Sequence, residues 1–133
     1  MPVEPSALAV VSVEGDRLRV ALHRVIADIS EAERLQEEIE RRATAGGVAK
    51  VLFDYRKVGS HDEAVRTSMW DWAARTSFVA MALIVANDLT RVRMNMTAVA
   101  QKVRMRAFLH EPDAVGWLEG AERRRPTTEI TKI

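Results

Sequence analysis

A short apolar strand between a pair of glycines and an aspartate constrains this chain more than any other feature. The segment Val48–Asp54, with the sequence VAKVLFD, contains three consecutive large apolar residues and follows Gly46-Gly47. A continuous apolar run of this length is typical of a strand buried on both faces, as in the sheets of α/β proteins. Because ligands and partners usually meet such sheets at the carboxyl ends of the strands, the residues after Asp54 are the first candidates for a functional site.

The other sequence patterns predict four more strands. Two β-rich runs, Ala7–Val13 and Arg17–His23, are joined by Glu14-Gly15-Asp16 and predict a hairpin. The second run alternates between apolar and charged or polar residues, which predicts a strand with one buried and one partly solvated face. A second wholly apolar strand is predicted over Phe78–Ala86, and a last alternating strand over Arg104–Leu109.

Four helices are predicted between and after these strands. A capping box at Ser30 and Glu33 starts the first helix. Gly46-Gly47 ends it, because glycine readily adopts the left-handed conformation of a helix C-cap. A second capping box, at Ser60 and Glu63, starts the next helix and makes Ser60 its predicted N-cap.

Spacings of three and four residues predict which helix faces are buried. In the third helix, predicted over Leu89–Gln101, we expect Val92, Met96 and Val99 to face the core. The final helix ends at Gly120, and its buried side is expected to carry Ala114, Val115, Trp117 and Leu118.

The resulting order, β-β-α-β-α-β-α-β-α, predicts a single α/β domain over residues 5–120. Strands that alternate with helices predict right-handed parallel βαβ units, so the sheet is expected to be mixed, with the first strand as an antiparallel edge. The polar and basic segment at 121–133 predicts a flexible tail.

The composition excludes several classes of protein. The 133 residues include no cysteine, so the chain can form no disulfide, thiolate metal site or cysteine nucleophile, and this suits a reducing cytoplasm. The segment Met1–Ser6 lacks the layout of a signal peptide, and the longest apolar run, Phe78–Ala86, is too short to span a bilayer. We therefore predict a cytoplasmic protein that is not transmembrane.

No motif in the sequence predicts catalysis or a cofactor. His23, His61 and His110 lack the spacing of metal ligands, and neither a glycine-rich phosphate-binding motif nor a nucleophile elbow occurs. We therefore predict no enzyme activity, no cofactor and no metal site. The densest basic cluster has no interleaved aromatic residue for base stacking, so we also predict no binding of nucleic acid. This cluster comprises Arg91, Arg93, Lys102, Arg104 and Arg106.

Three stretches of the chain resemble the SpoIIAA-like domain family, also called STAS or STAS/SEC14-type. VLFDYRKV resembles the third strand of that family, VAMALIVAND its fourth strand, and MRAFLHEPDAVGWLEG its closing strand and helix. The last stretch is the most specific, because its helix has the family pattern Ala-x-x-Trp-Leu at Ala114, Trp117 and Leu118. The resemblance implies a SpoIIAA-like mixed sheet flanked by helices and a non-enzymatic regulatory module that binds a protein partner.

The best-known members of this family are anti-anti-sigma factors, which a kinase switches off by phosphorylating a serine in an Asp-Ser-Ser-Gly turn. Aligning Asp54 with the family aspartate places that turn over 62–65, where Asp62 is retained. Glu63 and Ala64 replace the two serines, and the glycine is lost. The resemblance therefore implies a module without the usual phosphorylation switch. The two acids either imitate a permanently charged state or simply suit the start of a helix.

Seven residues on and after the central strand are the candidates for binding a partner or a ligand. Trp70 is among them because it lies about 200° from Trp72 around the same helix, so both cannot face one core. Trp70 then faces another helix, a groove or a partner. The candidates are Asp54, Tyr55, Ser60, His61, Asp62, Arg66 and Trp70.

Two other functions stay open at this point. The chain could carry a small apolar ligand or lipid in a cavity lined by Met69, Trp70, Met81, Met94 and Met96, since methionine adapts to irregular ligands. It could instead self-assemble, for example as a homodimer, because the predicted first hairpin leaves an edge strand free.

Overall fold

The structure, a computed structural model, describes residues 7–121. It contains five strands and four helices in the predicted order, with boundaries within a few residues of those expected. The elements are β1 (Ala9–Glu14), β2 (Arg17–Leu22), α1 (Ile29–Gly46), β3 (Lys50–Asp54), α2 (Glu63–Arg75), β4 (Ala80–Ile84), α3 (Asp88–Ala100), β5 (Met105–Phe108) and α4 (Glu111–Glu119).

The five strands form one mixed sheet in the order β1-β2-β3-β4-β5. β1 is antiparallel to β2, and every other neighbouring pair is parallel, so the predicted antiparallel edge is confirmed. β3 is the central strand, as its continuous apolar run predicts. In the register, Val20 of β2 lies between Val11 of β1 and Phe53 of β3.

Helices cover the two faces of the sheet unequally. The three-helix face carries α1, α2 and α3, whereas on the opposite face, the α4 face, α4 is the one helix that the structure describes. Because side chains alternate along a strand, Phe53 lies in the core of the three-helix face, with its ring 6.4 Å from that of Trp72. Its neighbour Leu52 lies in the core of the α4 face with Ala114 and Leu118.

The predicted start of α1 is wrong. Asp28 is the N-cap, and its side chain accepts a hydrogen bond from the backbone N–H of Glu31 at 2.8 Å. The Glu31 carboxylate in turn accepts from the N–H of Ala27 at 2.8 Å and pairs with Arg24 at 2.7 Å. These bonds cap the helix at Asp28, two residues before Ser30. Ser30 is therefore not needed as a cap.

The predicted N-cap of α2 is also wrong. Asp62 occupies that position, with no hydrogen bond from its side chain to the helix, and Ser60 is an exposed loop residue. The loop places His61 edge-on to the Tyr55 ring, with the ring centroids 6.3 Å apart. Ser60 and His61 are thus part of the loop that connects β3 to α2, and the helix begins only after them.

α3 is rotated away from its predicted orientation. Val92, Met96 and Val99, which we expected in the core, are 39%, 67% and 80% exposed, and Ala98 is buried instead. The physical reason is Asn95, whose amide binds both the N–H and the carbonyl oxygen of Ala107 on β5, at 2.7 and 3.2 Å. These two bonds fix the rotation of the helix on the sheet.

The predicted ends of the first and last helices are confirmed. Gly47 has a φ of 65° and ends α1, and Gly120 follows the last residue of α4. Ala121 is buried with the core of the α4 face, and the rest of the predicted tail lies outside the described residues. None of the helices between residues 7 and 121 is both long and apolar enough to cross a membrane.

Candidate functional site

The parallel strands end at one edge of the sheet, which we call the carboxyl edge. Asp54 and Ile84 are register partners there, and the Tyr55 N–H donates to the carbonyl of Ile84 at 2.9 Å. The Val85 N–H donates to the carbonyl of Phe108 at 2.9 Å, so β3, β4 and β5 end side by side. The loops and helix starts that follow these strands therefore share this edge, as expected for an open α/β sheet.

A charged cluster on the α4 side of this edge holds Asp54. The Asp54 carboxylate accepts from Arg19 at 3.1 Å and from the side chain of Arg56 at 3.0 and 2.7 Å. It also accepts from the backbone N–H of Arg56 at 3.1 Å. Glu111, at the start of α4, accepts from Arg19 at 3.0 Å and from Arg56 at 3.4 Å. Two carboxylates and two guanidinium groups thus close a four-membered network.

The electrostatics of this network leave Asp54 little freedom to act in chemistry. The hydrogen bond from the Arg56 side chain holds the pKa of Asp54 below its usual value, against the effect of burial, and Asp54 raises the pKa of Arg56. A carboxylate with a lowered pKa and two guanidinium partners is a poor proton acceptor at neutral pH. The network instead joins β2, the β3–α2 loop and α4.

Sequence reasoning missed three of the four members of this network. Arg19 was expected on a partly solvated strand face, and Arg56 and Glu111 were not candidates at all. Arg19 could have been found from its position on β2, the strand next to β3. Because side chains alternate along each strand, Arg19 and Asp54 lie on the same face of the sheet. Glu111 lies 92 residues from Arg19 in the chain, so no local pattern joins the two.

A second group of candidate residues lies on the opposite side of the carboxyl edge. Tyr55 stacks on Phe53 with the ring centroids 5.7 Å apart, and His61 approaches the Tyr55 ring from its edge. Burial raises the pKa of the Tyr55 hydroxyl well above its usual value. Burial and the nearby charge of Arg66 lower the pKa of His61, so this histidine is neutral at pH 7.

The seven predicted site residues are therefore divided among three environments. Asp54 belongs to the charged cluster, whereas Tyr55, His61 and Trp70 are half-buried beside the core of the three-helix face. The remaining three, Ser60, Asp62 and Arg66, are exposed around the start of α2. These three side chains and Glu63 form what we call the α2 surface.

The structure does not form the cavity that a ligand carrier would need from the five predicted side chains. Met69, Trp70 and Met94 line a cavity between α2 and α3 of about 40 Å³, whereas small-molecule pockets usually exceed about 300 Å³. Met81 is instead buried in the sheet, and Met96 is 67% exposed to solvent. The prediction that these two methionines line such a cavity is wrong, because Met81 is buried in the core of the three-helix face and α3 is rotated.

A larger open groove, of about 450 Å³, lies at the other end of the strands. It is bordered by the end of α1 and by the starts of β3 and β4, and it contains none of the seven candidate residues. The groove is lined by Glu40, Ala43, Thr44, Gly47, Val48, Ala49, Thr76, Ser77 and Phe78.

Among the residues that the structure describes, no group of three histidine, aspartate or glutamate side chains could hold a metal ion.

Comparison with solved structures identifies the fold. An uncharacterised protein from Shewanella loihica, described as having a SpoIIAA-like fold, superposes with a TM-score of 0.63 at 14% identity. The similarity covers 83% of this chain and 91% of that one. An anti-sigma factor antagonist from Mycobacterium paratuberculosis gives a TM-score of 0.62 at 12% identity and covers 90% and 99% of the two chains.

A third structure, the anti-sigma factor antagonist SpoIIAA in its unphosphorylated form, has a TM-score of 0.53 at 14% identity. The similarity covers 84% of this chain and 98% of SpoIIAA. The chain therefore has the SpoIIAA-like fold that its sequence predicted. Comparisons with protein-family models and with curated proteins found no match.

Proposed function

We propose that this chain is a non-enzymatic regulatory module that binds a protein partner through the α2 surface and has no phosphorylation switch there. Two of the solved structures that share its fold are anti-sigma factor antagonists, which supports a regulatory role. We also expect it to act in the cytoplasm, without a cofactor and without binding nucleic acid, as its composition predicts.

The observation that carries this proposal is the start of α2. Asp62 is the N-cap and Glu63 the first helical residue, and both side chains are exposed. Negative charge is favourable at this end of a helix, because the unpaired N–H groups give it partial positive charge. Of the two positions at which the resemblance expects a serine, one thus carries a carboxylate, Glu63, and the other, Ala64, has no hydroxyl to phosphorylate.

The surroundings of the α2 surface hold it in one shape. The charged cluster fixes the chain at Asp54 and Arg56 on the α4 face. Tyr55, which lies between them in the chain, is held on the three-helix face because its ring stacks on Phe53. A preformed surface binds at a lower entropic cost than one that orders on contact. Ser60, the nearest hydroxyl, lies two residues before the N-cap, outside the helix.

A charge-reversal variant tests this proposal. Asp62→Lys with Arg66→Glu reverses two of the three charges of the α2 surface without changing the net charge. Arg34→Glu with Glu37→Lys is the matched control on exposed positions of α1. Each tagged protein is expressed in the source cells, and the proteins that co-purify with it are quantified by mass spectrometry.

We expect one or more partners of the wild type to be lost with the α2 variant and retained with the α1 control. Identical partners for all three proteins would refute the α2 surface as the binding site. A partner lost equally from both variants would also refute it, because the effect would then depend on charge in general. Replacing Ser60 with alanine should leave the partners unchanged if no phosphorylation switch operates there.

A further inference from the structure

The outer face of α3 carries an apolar stripe that nothing in the chain covers between residues 7 and 121. Its four residues, which we call the α3 stripe, are 59%, 39%, 67% and 80% exposed in chain order. They follow one another at intervals of three, four and three, which is the spacing of the contact positions in a helix that packs against another helix. The α3 stripe consists of Leu89, Val92, Met96 and Val99.

The stripe cannot turn inward while α3 keeps its contacts with the sheet. The two hydrogen bonds from Asn95 to Ala107 fix one side of the helix. On the inner side, Ala98 is buried and Met94 packs beside Trp70. Solvent exposure of four large apolar side chains on one short helix is unusual, and apolar patches of this kind mark interaction sites.

The neighbouring edge of the sheet is closed to an added strand at its centre. Side-chain and backbone directions alternate along β5, so the N–H and carbonyl of Ala107 point away from β4. Both groups already bind Asn95, and no pair is left there for an incoming strand. A partner at this end of the molecule would therefore have to use the side chains of the α3 stripe.

The exposed charges of α3 and of the turn after it are mostly positive. α3 and this turn contain four basic residues and a single acid, Asp88, which pairs with Arg91 at 2.8 Å. Arg93 is exposed on α3, and Lys102 and Arg104 are exposed just beyond its end. A partner with acidic residues beside its apolar face would be complementary in charge.

We propose that the α3 stripe docks an amphipathic helix of a partner protein whose apolar side is flanked by acidic residues. This surface lies on a different helix from the α2 surface, so the two proposals stand independently. Pairing with a second copy of this chain would bring like charges together around the stripe, which opposes it. The helix α3 itself has no aromatic residue and one exposed cation, Arg93, whereas membrane-surface helices carry aromatic residues and many cations.

Synthetic peptides test the docking directly. One peptide of about two heptads has leucine at the contact positions and glutamate beside them, and a second has lysine in place of every glutamate. Each is added to the ¹⁵N-labelled full chain, and changes in the amide NMR spectrum locate the binding surface. Met96→Glu places a charge in the stripe at an exposed position, and Ile29→Glu, at an exposed residue of α1, is its matched control.

We expect the glutamate peptide to shift amides of α3 and of the turn after it, and to bind more weakly as salt is added. Met96→Glu should weaken binding about tenfold or more, and Ile29→Glu should leave it unchanged. Equal binding of the lysine peptide, or the absence of any shift on α3, would overturn the proposal.

Two further measurements identify a different occupant. Sedimentation equilibrium that showed a dimer for the wild type and a monomer for Met96→Glu would assign the stripe to a second copy and overturn the proposal. Binding to phosphatidylglycerol vesicles that is lost in Met96→Glu would assign it to a membrane, with the same consequence. A monomer that ignores the vesicles and binds the glutamate peptide supports it.

Discussion

Arg19 donates a hydrogen bond to Asp54 at 3.1 Å across the boundary between β2 and β3. The same guanidinium reaches Glu111 at the start of α4, so one side chain connects the hairpin, the central strand and the last helix. The side chains of Arg19 and Asp54 are only 18% and 15% exposed. If either side chain lost the other, it would stay largely buried, and water could not fully replace the lost bond.

Asp54→Ala should therefore lower the free energy of unfolding by about 2 kcal/mol, because it removes the carboxylate that binds both Arg19 and Arg56 and leaves the largely buried Arg19 with Glu111 alone. The matched control is Asp88→Ala, which removes an ion pair with Arg91 from an exposed carboxylate and should cost less than about 0.5 kcal/mol. Urea unfolding monitored by circular dichroism measures both. Equal losses for the two variants would show that the network does not act as a buried clamp.

The start of α1 gives a second prediction. Asp28→Ala should cost about 1 kcal/mol, because the Asp28 carboxylate accepts the hydrogen bond from the N–H of Glu31 at the start of the helix. Ser30→Ala should change the stability by less than about 0.5 kcal/mol, although the sequence favoured Ser30 as the cap. The same urea unfolding measurement decides between the two residues. A larger effect at Ser30 would return the helix start to the predicted position.

Glu31 should make the stability of the protein depend on acid pH. Its hydrogen bonds with Arg24 and with the N–H of Ala27 lower the pKa of Glu31 from 4.5 to about 2. A lowered pKa in the folded state stabilises the fold fully above pH 4.5, and this contribution is lost as the pH falls towards about 2. The difference in stability between the wild type and Glu31→Gln should therefore shrink over that range.

Unfolding by urea at a series of pH values measures this dependence. Glu33→Gln is the control, since the Glu33 side chain is exposed. The predicted capping box would instead have made Glu33 the glutamate that stabilises the start of α1. A constant difference between the wild type and Glu31→Gln across the acid range would contradict the prediction.

The turn after α3 offers a stabilising substitution. Lys102 has a φ of 56°, the left-handed conformation, and its N–H donates to the carbonyl of Val99 at 3.2 Å. Glycine adopts this conformation without strain, so Lys102→Gly should raise the free energy of unfolding by about 0.5–1 kcal/mol. Lys57→Gly, in the exposed loop after β3, is the matched control and should lower it slightly by loosening the unfolded chain. Thermal unfolding of the three proteins separates these outcomes, and a loss of stability in Lys102→Gly would refute the prediction.

The order of the elements could be predicted from the sequence because it depends on local patterns. The apolar run before Asp54 identifies the central strand, and Gly47 ends α1 by its own conformational freedom. The rotation of α3 could not be predicted, since both Met94 with Ala98 and Val92 with Met96 have helical spacing. The choice between these faces depends on Asn95 and its bonds to Ala107, twelve residues away on β5.

The candidate site was predicted only in part, because residues that are consecutive in the chain do not share one environment in the fold. Consecutive residues after the central strand were expected to act together, but Asp54 and Tyr55 face opposite sides of the sheet. The alternation of side chains along β3 separates them into two environments. Asp54 binds Arg19 of β2 as well as Arg56 nearby, and Arg19 in turn binds Glu111 of α4. Only tertiary structure brings Arg19 and Glu111 to the carboxyl edge.

The amide of Asn95 also restricts strand pairing at one edge of the sheet. With its bonds to Ala107 in place the centre of β5 is closed, and among the strands described between residues 7 and 121 the other edge is β1. Two molecules that joined through β1 would leave a closed strand at each outer end, so such growth would stop at a pair. Asn95→Ala would open the second edge, and a discrete particle could then become an open-ended fibre.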